Sequence, residues 1–120
     1  MPNYLNVPRA DWRHFFDRMS SAVLGKRAEI EVASLDLGDQ IVAEWVPLLG
    51  ITYDSGDDLL DVALDRANHL IYHPKEIVVD ETPTGLSSVA VVDANGLRQV
   101  VRLKEPLMLP PARSTAAQHS

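Results

Sequence analysis

The chain has 120 residues and a mass of 13.3 kDa, the length of one domain when domains run to roughly 100–200 residues. Hydrophobic residues make up 46% and charged residues 23%, which excludes wholesale disorder and fibrous folds. Zero cysteines exclude disulfides, thiolate chemistry and Cys-ligated metals, and a net charge of −6 with a pI near 5.0 argues against general nucleic-acid binding.

Trp12, Phe15, Phe16, Met19, Ala22 and Val23 recur at helical spacing, with Arg13, His14, Asp17, Arg18 and Ser21 on the other side. Pro8 suits the start of this helix and Gly25 its end, so the pattern predicts a helix from about Arg9 to Leu24. Its aromatic stripe is better suited to a sheet than to an exposed docking patch. After Gly25 the period falls to two and Val, Ile and Thr become frequent. Strands are expected over 28–35, 40–46 (with Ile41, Ala43 and Trp45 on one face), 51–53, 60–64, 69–72 and 77–79. Pro47 is expected to end or bulge its strand, and Leu37-Gly38-Asp39, residues 54–57 and 82–85 to form turns.

The final hairpin can be registered by burial. A two-residue Asn95-Gly96 loop would mix valines with arginines on one face. A three-residue loop, Ala94-Asn95-Gly96 with Gly96 left-handed, pairs Val91 with Gln99 and Val89 with Val101. It places Val89, Val91, Leu97, Val101 and Leu103 together and sends Arg98 and Arg102 to the opposite face. The expected architecture is α+β: one N-terminal amphipathic helix packed on a curled sheet or small barrel of roughly five to seven mostly antiparallel strands. One domain is expected over residues 1–109, with a mobile tail over 110–120.

The charge is segregated. Residues 1–27 carry +3, residues 28–81 carry −11 and residues 82–120 carry +2. Such a block is a solvated sheet surface, or a surface that attracts cations or a basic partner.

Few residues carry a chemical signature. His69 and His73 are four apart, but on a strand each two residues advance about 6.5–7 Å, too far for simple chelation without the bend that Pro74 could supply. Asp54, Asp57, Asp58 and Asp61 form the densest carboxylate group, without the ligand order or terminal Glu of a calcium loop. His69, His73, Asp54, Asp57 and Asp58 are therefore the candidate metal ligands, weighed against solvated turn and surface roles. No nucleophile elbow, glycine-rich phosphate loop or cofactor motif occurs. Arg98 and Arg102, with Lys104 beyond them, form the basic cluster of the sheet but lack interleaved aromatics for nucleic acid.

The segments Val7-Pro8-Arg9-Ala10-Asp11-Trp12-Arg13-His14-Phe15-Phe16, Pro47-Leu48-Leu49-Gly50-Ile51-Thr52-Tyr53, His69-Leu70-Ile71-Tyr72-His73-Pro74 and Asp93-Ala94-Asn95-Gly96 resemble a family of small bacterial domains of unknown function. The resemblance runs from about Leu5 to Leu109. It implies a compact helix-plus-sheet domain with no assigned activity and transfers no functional residue.

Three readings follow. The leading one is a non-enzymatic interaction module that self-associates or docks on another protein through a sheet edge or through Trp45, Arg98 and Arg102. The second is a divalent-cation or small-ligand binder using the aspartate loop and His69/His73. The third is an enzyme with His69 or His73 and an aspartate as acid and base. No cofactor, nucleic acid or membrane is expected, no apolar run reaching the roughly 18 residues of a membrane helix and no leader peptide being visible, and the setting is expected to be cytoplasmic.

Overall fold

The computed structural model describes residues 3–34, 36, 38–82 and 85–108. The order is β1 (Asn3–Asn6), a 3-10 turn (Arg9–Asp11), α1 (Trp12–Val23), β2 (Arg27–Ser34), β3 (Gly38–Asp54), β4 (Leu59–Leu64), β5 (Asn68–Tyr72), β6 (Pro74–Thr82), β7 (Gly85–Asp93) and β8 (Arg98–Leu107). The tail expected over 110–120 lies outside the described residues, as do Leu37, Pro83 and Thr84 of two expected turns.

The expected helix forms, and its stripe is buried. Trp12, Phe15, Phe16, Met19 and Val23 enter the core and Ala22 packs against it. The helix lies on β3, where Gly50 leaves room for Ser20: a Cβ there would sit 2.7 Å from the serine Oγ. Past Val23 the chain leaves the helix at Leu24, and Gly25 takes φ +83. The Gly25 N–H then donates to the Leu48 carbonyl (2.8 Å) and the Lys26 N–H to that of Val23 (2.8 Å), so the helix end is tied to the sheet.

The eight strands run β1-β6-β7-β8-β2-β3-β4-β5 with every neighbouring pair antiparallel. The sheet is open, with β1 and β5 as its edges, and exceeds the expected number of strands. β1 was not expected: it is four residues long with an asparagine at each end and offers no alternation to read. The stretch 69–79 divides at His73, where φ is +53, into an edge strand and a strand on the other side of the sheet.

Pro47 does not end its strand. β3 runs through it, pairing first with β2 up to Arg27↔Pro47 and then with β4 from Leu48↔Leu64. A proline is tolerated where the strand passes from one partner to the next, because no ladder bond requires its nitrogen. Just before it, β3 carries one extra residue between the pairs Ala28↔Val46 and Ile30↔Ala43, and Trp45 takes φ +53 at this bulge.

The last hairpin has the expected three-residue loop. Val89 pairs with Val101 and Val91 with Gln99, Gly96 has φ +83, and the Asp93 N–H donates to the Leu97 carbonyl (3.0 Å). Asp93 Oδ1 accepts the N–H groups of Asn95 (2.9 Å) and Leu97 (3.0 Å), holding the turn. Val89, Val91, Val101 and Leu103 point into the core with Ile30, Ile77 and Val79; Arg98 and Arg102 lie on the outer face.

Candidate functional site

Asp58 and His73 are brought together; the other proposed ligands are not. The turn after β3 and the junction between β5 and β6 meet where the His73 N–H donates to the Asp58 carbonyl (2.8 Å). Both residues have left-handed backbones, φ +50 and +53, a costly state that the surrounding contacts must hold. Asp58 Oδ1 accepts from the Tyr53 hydroxyl (2.6 Å) and from Arg9 Nη1 (3.3 Å), and Oδ2 lies 3.4 Å from His73 Nδ1. Arg9 also donates to the Pro74 carbonyl (2.9 Å) and stacks over Trp12, 4.3 Å from its centroid. Trp12 in turn meets Tyr53 edge-on at 5.2 Å.

The Tyr53 hydroxyl, followed by Arg9 and His73, holds the Asp58 carboxyl below its ordinary range, while burial and then Asp58 push the Tyr53 phenol up. An ionised carboxylate whose oxygens are taken by three donors is a fastener, with little basicity left for proton abstraction.

His69 points elsewhere. Its Nε2 lies 2.6 Å from Gln99 Oε1, and Gln99 Nε2 donates to Asp93 Oδ2 (3.0 Å). Because the Asp93 carboxylate can only accept, Gln99 must turn its amide nitrogen to Asp93 and its carbonyl to His69. His69 Nε2 is therefore the donor of this contact. Gln99 and Asp93 are buried, so this chain satisfies two polar groups inside the core. Asp54 caps its own turn, its Oδ1 accepting from the N–H groups of Gly56 (2.9 Å) and Asp57 (3.3 Å), and Asp57 is exposed. Among the described residues no three His, Asp or Glu side chains gather as ligands of one ion would.

The proposed interaction residues lie on the outer face. Arg102 bridges Glu29 (3.3 Å) and Glu31 (2.5 Å) across β2, which raises its own pKa and lowers that of Glu31. Asp39, hydrogen-bonded to Glu31, is pushed up by that neighbouring carboxylate. Trp45 is half-buried with Lys104 Nζ 5.9 Å from its ring centroid, and Arg98 is exposed.

An apolar recess lies beside an edge strand. A groove of about 430 Å³ runs between β1 and α1, with Leu5, Val7, Phe15 and Val79 along it and Asp11, His14, Arg18 and Glu81 at its rim. β1 is Asn-Tyr-Leu-Asn, and Tyr4 and Leu5 are 64% and 43% exposed.

Arg9, Tyr53, Gln99 and Asp93 complete these clusters and were not singled out from the sequence. Only Gln99 left a signal there: the hairpin register placed it opposite Val91 on the core face, where an amide needs a partner.

A helix laid on an open, all-antiparallel sheet of eight strands defines a small α+β domain. No helix among the described residues is long and apolar enough to cross a membrane. The chain belongs to the family of unknown function DUF5335, whose model matches residues 4–112. It is 37% identical over 105 residues to an uncharacterized protein of Aquifex aeolicus (strain VF5), spanning 87% of this chain and 95% of that protein. No solved structure matches the chain.

Proposed function

We propose that this protein is a protein-interaction module that self-associates through its β1 edge. The observation that carries the reading is an apolar groove lying alongside an open strand that has no charge to protect it. Monomeric sheet proteins blunt their edges with lysine, proline or bulges, and β1 has none of these. A second copy is the occupant best suited to it. The chain carries −6 overall, so two copies repel wherever acidic surfaces meet, but β1 is neutral and the rim of the groove carries both signs.

Antiparallel pairing about a two-fold axis must set residues of the same face opposite one another. Leu5 then faces Leu5 of the second copy, Tyr4 faces its Asn6, and the two apolar grooves join. The sheet continues through the interface by main-chain hydrogen bonds.

Sedimentation over a wide concentration range tests this. The mass is expected to rise from 13.3 kDa towards twice that value, and Leu5→Lys is expected to remain at one chain's mass. A wild-type chain that stays at 13.3 kDa throughout, or a Leu5→Lys variant that associates as the wild type does, would overturn the reading.

A further inference from the structure

On the outer face, β7 contributes two small residues, Ser88 and Ala90, between the taller side chains of its neighbours. Registered pairs place Tyr4 opposite Asp80, Asp80 opposite Ser88, and Ser88 opposite Arg102; Ala90 faces Val100, and Val92 faces Arg98. The outcome is a recess of about 150 Å³, floored by Ala90 and Val100 and walled by Tyr4 and Asp80 on one side and Arg98 and Arg102 on the other. That is well below the roughly 300 Å³ at which drug-sized pockets begin, so only a small molecule fits.

The two walls carry opposite charges that do not meet. Asp80 is half-buried, and its Oδ1 is buried with no hydrogen-bond partner among the described residues; a buried carboxyl oxygen so placed lacks a donor. Arg98 is exposed; it lies two strands across from Asp80 and four residues along from Arg102, which is level with Asp80 through Ser88, so the backbones of Arg98 and Asp80 are about 16 Å apart and only their side chains converge on the recess. Arg98 feels Glu31 and Asp39 across β2 but closes no ion pair among the described residues. Arg102 is held in place by Glu29 and Glu31 and stiffens that wall.

We infer that this recess binds a small zwitterion of the amino-acid type, with its ammonium group at Asp80, its carboxylate on the Arg98 guanidinium and its methylene groups over Ala90. Guanidinium suits a carboxylate because its N–H groups form a planar fork matching the two oxygens. Ser88 and Tyr4 bring hydroxyl groups to the same space. The recess opens on the outer side of the sheet and the β1 groove on the inner side, with β1 contributing Tyr4 to the first and Leu5 to the second.

Titrating the ¹⁵N-labelled protein with glycine, β-alanine and 4-aminobutanoate, and with acetate as the singly charged control, reads the site by amide chemical shifts. Saturable shifts at Asp80, Ser88, Ala90 and Arg98 are expected with at least one zwitterion, and binding about tenfold weaker or worse in both Arg98→Gln and Asp80→Asn. Arg98 is exposed, so its variant keeps the test sound if Asp80→Asn folds poorly. The absence of saturable shifts with all three zwitterions would overturn the site. So would acetate binding as tightly as they do, or unchanged affinity in Arg98→Gln.

Discussion

The two edges of the sheet are built differently. Both are short and uncharged, and both expose a leucine and a tyrosine: Tyr4 and Leu5 in β1, Leu70 and Tyr72 (38% and 57%) in β5. In β5 the inward side chains are already engaged, Ile71 in the core and His69 on Gln99. The strand ends at a locked corner, where His73, Asp58 and Arg9 hold one another. In β1 the inward Leu5 lies over the groove beside α1. On the proposed reading, an open row of backbone groups is not enough to make a docking edge; the apolar recess beside β1 is what a partner would gain by arriving.

The contrast can be broken from either side. The largest effect is expected from Trp12→Ala, which touches both sides, Val7 after β1 and the Arg9–Tyr53–Asp58 corner. Trp12 is fully buried, meets Tyr53, and its Nε1 donates to the Val7 carbonyl (2.8 Å), while the Val7 N–H donates to that of Ile77 (2.8 Å). Its loss should cost about 3–5 kcal/mol in denaturant unfolding.

On the β5 side, Gln99→Leu leaves His69 and Asp93 facing an apolar group and should cost about 1–3 kcal/mol. Hydrogen exchange should speed up in β5 and leave β1 unchanged. Equal stability would mean that the His69–Gln99–Asp93 chain is not what holds β5.

Asp58→Asn should cost less, about 1 kcal/mol or below, because the pair with Arg9 is partly exposed. The sign with pH follows from its depressed pKa. The Asp58 contribution is fully present above the unfolded value of 3.8 and is lost as pH falls through the lower folded value. Wild-type stability should therefore fall on acidification in that window, and the Asn variant should show a shallower fall in a pH series of melting curves.

The smallest effect on stability belongs to Leu5→Lys, within about 0.5 kcal/mol because the side chain is half exposed. It should nevertheless remove self-association.

How much of this was legible depended on whether one periodicity covered the residues. The stripe from Trp12 to Val23 and the Val89/Val91 register could be read because burial on one face leaves one solution. β1 could not, since Asn-Tyr-Leu-Asn shows no alternation and gains its place only by pairing with β6. The bulge at Trp45 and the continuation through Pro47 depend on β3 changing partners, a tertiary event. The four-residue spacing of His69 and His73 marked both residues but not their divergence, because the left-handed turn at His73 was invisible in the sequence. The segregated charge was readable, and the ion pairs of two arginines show one use of it within the chain. Arg9 from the basic start meets Asp58, and Arg102 from the basic end meets Glu29 and Glu31.

Amide hydrogen exchange at low and high protein concentration tests the β1 edge most directly, since each edge reports separately. The account predicts that the amides of Tyr4, Leu5 and Asn6 become more protected as concentration rises, while those of Leu70 and Tyr72 do not change. Protection that appears at β5 instead, or β1 amides that exchange at one rate throughout, would contradict it.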